Sequence, residues 1–233
     1  VHSFPTRRSS DLLAAVLYVP RLFSSYRTWI FMKENDMNKK LDKKRNTDFY
    51  LLYTAAFLAV ALALYLRFFT NGKSLVWSHD GVPQHLNSLA YYGRYLRQVL
   101  YTLFIEHKLS LPLWDMHIGY GSDILTTLHY YVIGDPLTLL AVFVPESKTE
   151  TLYAFLIFLR IYLAGIAFSR YSFYHKNSKQ ATFMGTMIYI FAGWTIYAAM
   201  KHPYFYNPMI YLPLILLGID KIYKKEKPYT FIW

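Results

Sequence analysis

Four aspartates of this chain stand in segments rich in Gly, His and aromatic residues: Asp80 in WSHDGVPQH, Asp115 in LWDMHIGYG, Asp123 in GYGSD and Asp135 in YYVIGDPL. A carboxylate in such a place can take the proton from an acceptor hydroxyl, or hold a divalent cation that neutralises a leaving phosphate. Asp80 follows closely on the first long apolar run, so it is expected just outside a bilayer, at the level of a lipid carrier's phosphate. The plainer use of these acids is local. Asp80-Gly81 is a natural turn and Asp135-Pro136 a natural helix start, and spacing alone favours that use. Five histidines (His79, His85, His107, His117 and His129) fall in the same region. Their spacings match no metal-ligand signature, such as two His one helical turn apart with an intervening Glu. Interfacial hydrogen bonding or aromatic-belt packing accounts for them better, and no metal site is expected from them. Arg160 lies in the middle of an apolar run, where a cation is costly and must face a polar cavity or a carboxylate. Two readings stand side by side: a clamp for phosphate or pyrophosphate, and an intramembrane salt bridge to an acid of the outer loop. Tyr91, Tyr92, Tyr95, Tyr130 and Tyr131 could stack on sugar rings, although anchoring at the membrane interface explains them as well.

The elements that position these residues are read from the apolar runs. Of 233 residues, 55% are apolar and 19% aromatic while 17% are charged, against about 25% charged in soluble domains. A soluble domain of this size could not hide so much apolar surface, and disorder is excluded by the same numbers. The absence of Cys excludes a disulfide framework, a Cys zinc site and thiol catalysis. The net charge of +11 is gathered in short blocks between apolar runs. That pattern belongs to a polytopic membrane protein and not to a nucleic-acid face. Spans are expected at Phe49 to Leu66, Thr151 to Ser169 and Ala181 to Met200, with a shorter fourth at Met209 to Ile219 and a further one opening at PYTFIW. The fold class is therefore all-α: a polytopic helical membrane protein of four to five spans, with a long helical outer loop after the first. Lys39, Lys40, Lys43, Lys44 and Arg45 precede the first span, which places the N-terminus in the cytoplasm. Simple alternation then puts HKNSK and DKIYKKEK inside, and residues 70–150 and HPYFYNP outside. Within the outer loop, Leu86, Leu89, Leu96, Leu100 and Leu103 give Gln84 to His107 an amphipathic helical period, with Arg94 and Arg97 on one face. LPLWDMHIGYG is a turn-rich loop, and the apolar stretch Ile124 to Val144 is broken by Gly134-Asp135-Pro136 into a re-entrant or juxtamembrane element.

The chain opens with VHSFPTRRSSDL, of which HSFPTRRSSDL is the translation of a common sequencing-adapter oligonucleotide. Residues 1–36 are accordingly read as a non-native leader, 37–48 as a basic cytoplasmic tail starting at Met37, and 49–233 as the transmembrane region.

From about Met37 onward the chain resembles the YfhO family of bacterial polytopic membrane proteins. The resemblance rests on an order of elements: basic tail, span, GKSLVWSHDGVPQH, LPLWDMHIGYGSD, YYVIGDPLTLL, and a span with a mid-helix Arg. It implies that the sequence is the N-terminal part of a longer protein with GT-C architecture in the bacterial plasma membrane. It also implies a glycosyltransferase-like activity, moving a sugar from a polyprenyl-phosphate carrier to an outer-face acceptor such as lipoteichoic acid. The implied partners are membrane lipid, the polyprenyl-phosphate sugar, the envelope polymer that accepts it, and the flippase and polyprenyl-phosphate glycosyltransferase that supply the donor. The catalytic acid that the resemblance implies matches Asp80, with Asp135 as the second candidate. His79, Gln84, Arg94, Arg97, Asp115, Asp123 and Arg160 are then the expected substrate-binding residues, the arginines for phosphate. GT-C enzymes often carry paired acids in this loop, whereas this chain has His79-Asp80, so a divalent cation is open and no cofactor is fixed. A transporter or flippase for a lipid-linked envelope precursor, and a non-catalytic envelope assembly subunit, are the other readings of the same residues.

Overall fold

The computed structural model describes residues 47–227. The leader reading, most of the basic tail and the span opening at PYTFIW lie outside these residues. Two compact units divide at Ala55 and Ala56; of the first, the described part is the opening of one helix. That helix, α1 (Thr47–Thr70), carries the uncharged run FYLLYTAAFLAVALALYL through its whole middle. The chain then makes a π-helical turn (Gly81–Leu86) that runs directly into α2 (Asn87–Phe104). A two-stranded antiparallel hairpin follows, β1 (Trp114–Asp115) with β2 (Ser122–Asp123), in the register Trp114 to Asp123 and Asp115 to Ser122. After it come α3 (Ile124–Leu128) and a 3-10 helix (Pro136–Phe143). The remaining helices are α4 (Thr149–Tyr174), α5 (Lys179–Ile190), α6 (Gly193–Lys201) and α7 (Asn207–Tyr223).

The architecture of the described residues is all-α apart from that hairpin. Two helical stretches, Thr47–Thr70 and Glu146–Tyr174, are long and apolar enough to cross a membrane; α5 and α6 together make a third candidate bent by 45°. The expected span at Ala181 to Met200 is thus a broken one. The fourth is α7, whose 17 residues rise about 25 Å, short of a ~30 Å hydrocarbon core.

Helix α4 is the hub, with α5 and α7 packed along it. Phe57 and Tyr65 of α1 meet Tyr162 and Phe158 of α4 edge-on, with ring centroids 5.2 and 5.1 Å apart. At the far end His175 lies 2.9 Å from Asp220 and ties the end of α4 to α7. Helix α2 packs on the 3-10 helix. Gly93 makes that approach possible, since a Cβ there would lie 2.9 Å from the Ala141 carbonyl. The expected amphipathic helix therefore exists, but its burial is uneven: Leu89 is buried, whereas Leu100 and Leu103 are exposed.

Depth follows from α4. Its 26 residues span about 39 Å, some 9 Å more than a ~30 Å core. Arg160 lies 11 residues after Thr149 and 14 before Tyr174, so it falls inside the core wherever the surplus protrudes. Asp135 contacts Arg160 at 2.6 Å. The Gly134-Asp135-Pro136 break therefore dips to the same level, which is the re-entrant form of the two expected. Gly134 takes φ +93°, a conformation that turns the chain at the bottom of this dip.

Candidate functional site

Two polar clusters meet where the re-entrant segment, the π-helical turn and the α6–α7 connection come together. The first is closed. Asp135 caps the 3-10 helix by accepting from Leu137 N–H at 2.9 Å. Its Oδ2 accepts from Arg160 Nη2 at 2.6 Å and from Asn207 Nδ2 at 3.0 Å, and Asn207 Oδ1 in turn accepts from Arg160 Nε at 3.0 Å. Each of the three side chains binds the other two, and all are buried. Of the two readings of Arg160, the geometry carries the salt bridge. Arg160 also lies over the Tyr204 ring, 5.2 Å from its centroid.

The second cluster is open at one end. Asp80 stands at the start of the π-helical turn, and 43% of its side chain is exposed. Gln84 Nε2 donates to Asp80 Oδ1 at 3.3 Å, and Tyr131 O–H donates to Gln84 Oε1 at 3.0 Å. His202 Nε2 lies 3.5 Å from Asp80 Oδ2, and His202 Nδ1 is hydrogen-bonded to His85 Nε2 at 3.1 Å. A neutral His202 with Nε2–H on the carboxylate side accepts at Nδ1 from His85 Nε2–H, and a protonated His202 donates there instead. His85 Nδ1 is buried and has no hydrogen-bond partner among the described residues. His85 is fully buried, and that burial, together with the neighbouring His202 charge, pushes its pKa down to about 4. A carboxylate facing solvent is thus backed by two imidazoles leading inward. Lys201 stands next to His202 with its ammonium 4.3 Å from the Trp77 ring centroid.

The other expected site residues are placed as follows. His79 is exposed, within 3.3 Å of Ser78 Oγ and tilted against Trp77. Arg97 donates to the carbonyls of Ala141 and Val144 at 2.9 and 2.7 Å, which caps the end of the 3-10 helix. Arg94 pairs with Glu146 at 2.5 Å. Asp123 accepts from Thr126 N–H at 2.7 Å, which makes it the N-cap of α3 and lowers its pKa. Asp115 lies on the hairpin, bonded to Tyr91 and His117. The structure thus joins Asp80 with Gln84, and Asp135 with Arg160, and gives Arg94 and Arg97 protein partners. Among the described residues no three His, Asp or Glu side chains are grouped to hold a metal ion.

Sequence reasoning missed His202, Tyr204, Asn207 and Lys201, all from the KHPYFYN segment. The signal was a short connection between apolar runs that holds a His, an Asn and a Lys where a turn needs none of them.

The family model described as bacterial membrane protein YfhO matches residues 52–233. No curated protein and no solved structure matches the chain.

Proposed function

Because the chain belongs to the YfhO family of bacterial membrane proteins, we propose that it is part of an envelope glycosyltransferase using a polyprenyl-phosphate sugar, with Asp80 as its general base. The observation that carries this reading is the half-exposed Asp80 carboxylate, oriented by Gln84 and backed by His202 and His85. Asp80 takes the proton of an acceptor hydroxyl, on an outer-face polymer such as lipoteichoic acid. The freed oxygen attacks the anomeric carbon of the donor. The bond from that carbon to the carrier phosphate breaks, and its electron pair leaves with the phosphate. Lys201, beside His202, supplies the positive charge that the leaving phosphate needs. Arg94, Arg97 and Arg160 were the expected phosphate ligands; their protein partners make them scaffold in this mechanism. Asp135, bonded by Arg160, Asn207 and Leu137 N–H, holds the re-entrant segment and leaves proton transfer to Asp80. The protein works in the plasma membrane with its N-terminus in the cytoplasm, so that the loop of residues 70–150 enters from the outer face, where the flipped donor arrives. Nothing in the mechanism requires a divalent cation, because the carrier leaves as a single phosphate.

Replacing Asp80 by Asn keeps size and hydrogen bonding but removes the basicity. Sugar transfer to the envelope polymer should fall by ~10²–10⁴-fold while membrane insertion is unchanged. Transfer at the wild-type rate would favour a transporter or an assembly subunit.

A further inference from the structure

A cleft of about 540 Å³ lies between α2 and the hairpin, apart from the Asp80 cluster. Its walls come from Tyr91, Arg94 and Tyr95 on successive turns of α2, and from Trp114, Asp115 and His117 on the hairpin. Trp114 is 60% exposed, so one face of its ring is open to the cleft. The ring is nevertheless seated: its Nε1–H points to Met116 Sδ at 3.2 Å, and Gly121, at φ +102°, leaves room where a Cβ would lie 3.2 Å from the indole nitrogen. Asp115 is equally fixed. Oδ2 accepts from Tyr91 O–H at 2.7 Å, and Oδ1 accepts from the His117 backbone N–H at 2.8 Å and lies 2.9 Å from His117 Nδ1. The Tyr91 bond first, and the two His117 contacts after it, pull its pKa down to about 2. It is therefore a permanent carboxylate, with acceptor capacity left beyond these bonds.

The chemistry of the walls selects the ligand. A cation meets the Arg94 guanidinium, which lines the cleft over the Tyr91 ring, 5.9 Å from its centroid. An anion meets the fixed Asp115 charge. A purely apolar group would bury that carboxylate without a donor. What remains is an uncharged molecule with an apolar face and several hydroxyls. We infer that this cleft is a carbohydrate-binding subsite, in which a neutral pyranose ring packs on Trp114 and Tyr95 and donates its hydroxyls to Asp115. The π-helical turn and α2 form one continuous helical run, so Tyr91 lies roughly 10 Å along it from Gln84, the Asp80 partner. A sugar held there would lie within reach of the Asp80 cluster, a connection that rests on the transferase reading; the binding itself does not.

The test is saturation-transfer difference NMR on the chain in lipid nanodiscs, with methyl glucoside, methyl galactoside and N-acetylglucosamine as probes. Choline and glycerol 3-phosphate serve as the cationic and anionic probes. At least one pyranoside should give a signal at millimolar concentration, and the two charged probes should not. Trp114→Ala and Asp115→Asn should each weaken binding about tenfold, and Trp114→Tyr, which keeps an aromatic face, should restore most of it. The Asp80→Asn variant should bind the pyranoside as the wild type does, whatever happens to its transfer activity. No pyranoside signal from the wild type, a signal that survives both weakening substitutions, or binding of a charged probe in its place would overturn the inference.

Discussion

Asp135 and Asp80 belong to the same connection between two apolar helices and face basic side chains that lie far apart in sequence, yet they end differently. Asp135 is 8% exposed and is bonded by Arg160, Asn207 and Leu137 N–H. Asp80 keeps 43% of its side chain exposed and faces Gln84 and a histidine 3.5 Å away. The difference follows from depth. A charge at the level of Arg160 has no water to fall back on, so it survives only when its hydrogen-bonding capacity is met by protein. A carboxylate nearer the surface can leave lone pairs open for a substrate. Two acids that look alike as candidate bases are thus sorted by how completely they are bonded.

The largest effect that would break this comparison comes from Arg160. Arg160→Leu leaves Asp135 buried without its cation, and the expected loss is ~3–5 kcal/mol of stability, read as thermal unfolding in detergent. Adding Asp135→Leu removes the orphaned charge and should recover most of the loss. An unchanged melting temperature for Arg160→Leu would mean that the buried pair is not the closed cluster described. A smaller effect is expected at Gly93. A Cβ there lies 2.9 Å from the Ala141 carbonyl and 3.3 Å from Arg97 Nη1, so Gly93→Ala should cost about 1–3 kcal/mol by pushing α2 off the 3-10 helix that Asp135 starts.

How much of this was legible in the sequence varies with the element. The apolar runs of α1 and α4 are nearly free of charge, and hydropathy alone places them. The same measure is blind to the 45° break between α5 and α6, because Phe191, Ala192 and Gly193 are as compatible with a membrane as the helix they interrupt. The hairpin is invisible to periodicity, since strands of two residues carry no period, and its first strand falls in what the sequence presents as the turn-rich loop LPLWDMHIGYG. Within the site, Asp80 and Gln84 stand one turn apart and can be found by inspection. His202 reaches His85 across 117 residues, and Asn207 reaches Asp135 across 72. Periodicity carries no record of such tertiary adjacency. That Arg160 needed an acid or a polar cavity could be argued from its depth; which acid could not, because four aspartates of the outer loop satisfy the same argument.

His85 sharpens the comparison from the open side. Its pKa is lowered to about 4 in the fold, below an unfolded value of ~6.5. Between these values the unfolded chain binds the extra proton, so stability is fullest above ~pH 6.5 and declines as pH falls toward 4. Melting temperature measured across that window should drop for the wild type, and the slope should flatten in His85→Asn. A His85→Asn variant with the wild-type slope would remove His85 from the account. The mildest perturbation tests orientation. Single Cys substitutions at Lys73 and Ser147 should react with an impermeant thiol reagent in intact cells, and one at Asn177 should not; the opposite pattern would place Asp80 on the wrong side of the membrane for the donor.

The most direct test sets the two acids against each other in one pair of measurements, sugar transfer and melting temperature for Asp80→Asn and Asp135→Asn. The account predicts that Asp80→Asn melts as the wild type does and loses transfer by ~10²–10⁴-fold, whereas Asp135→Asn melts well below it. Near-normal transfer by a folded Asp80→Asn protein, with transfer lost in a folded Asp135→Asn protein, would contradict it.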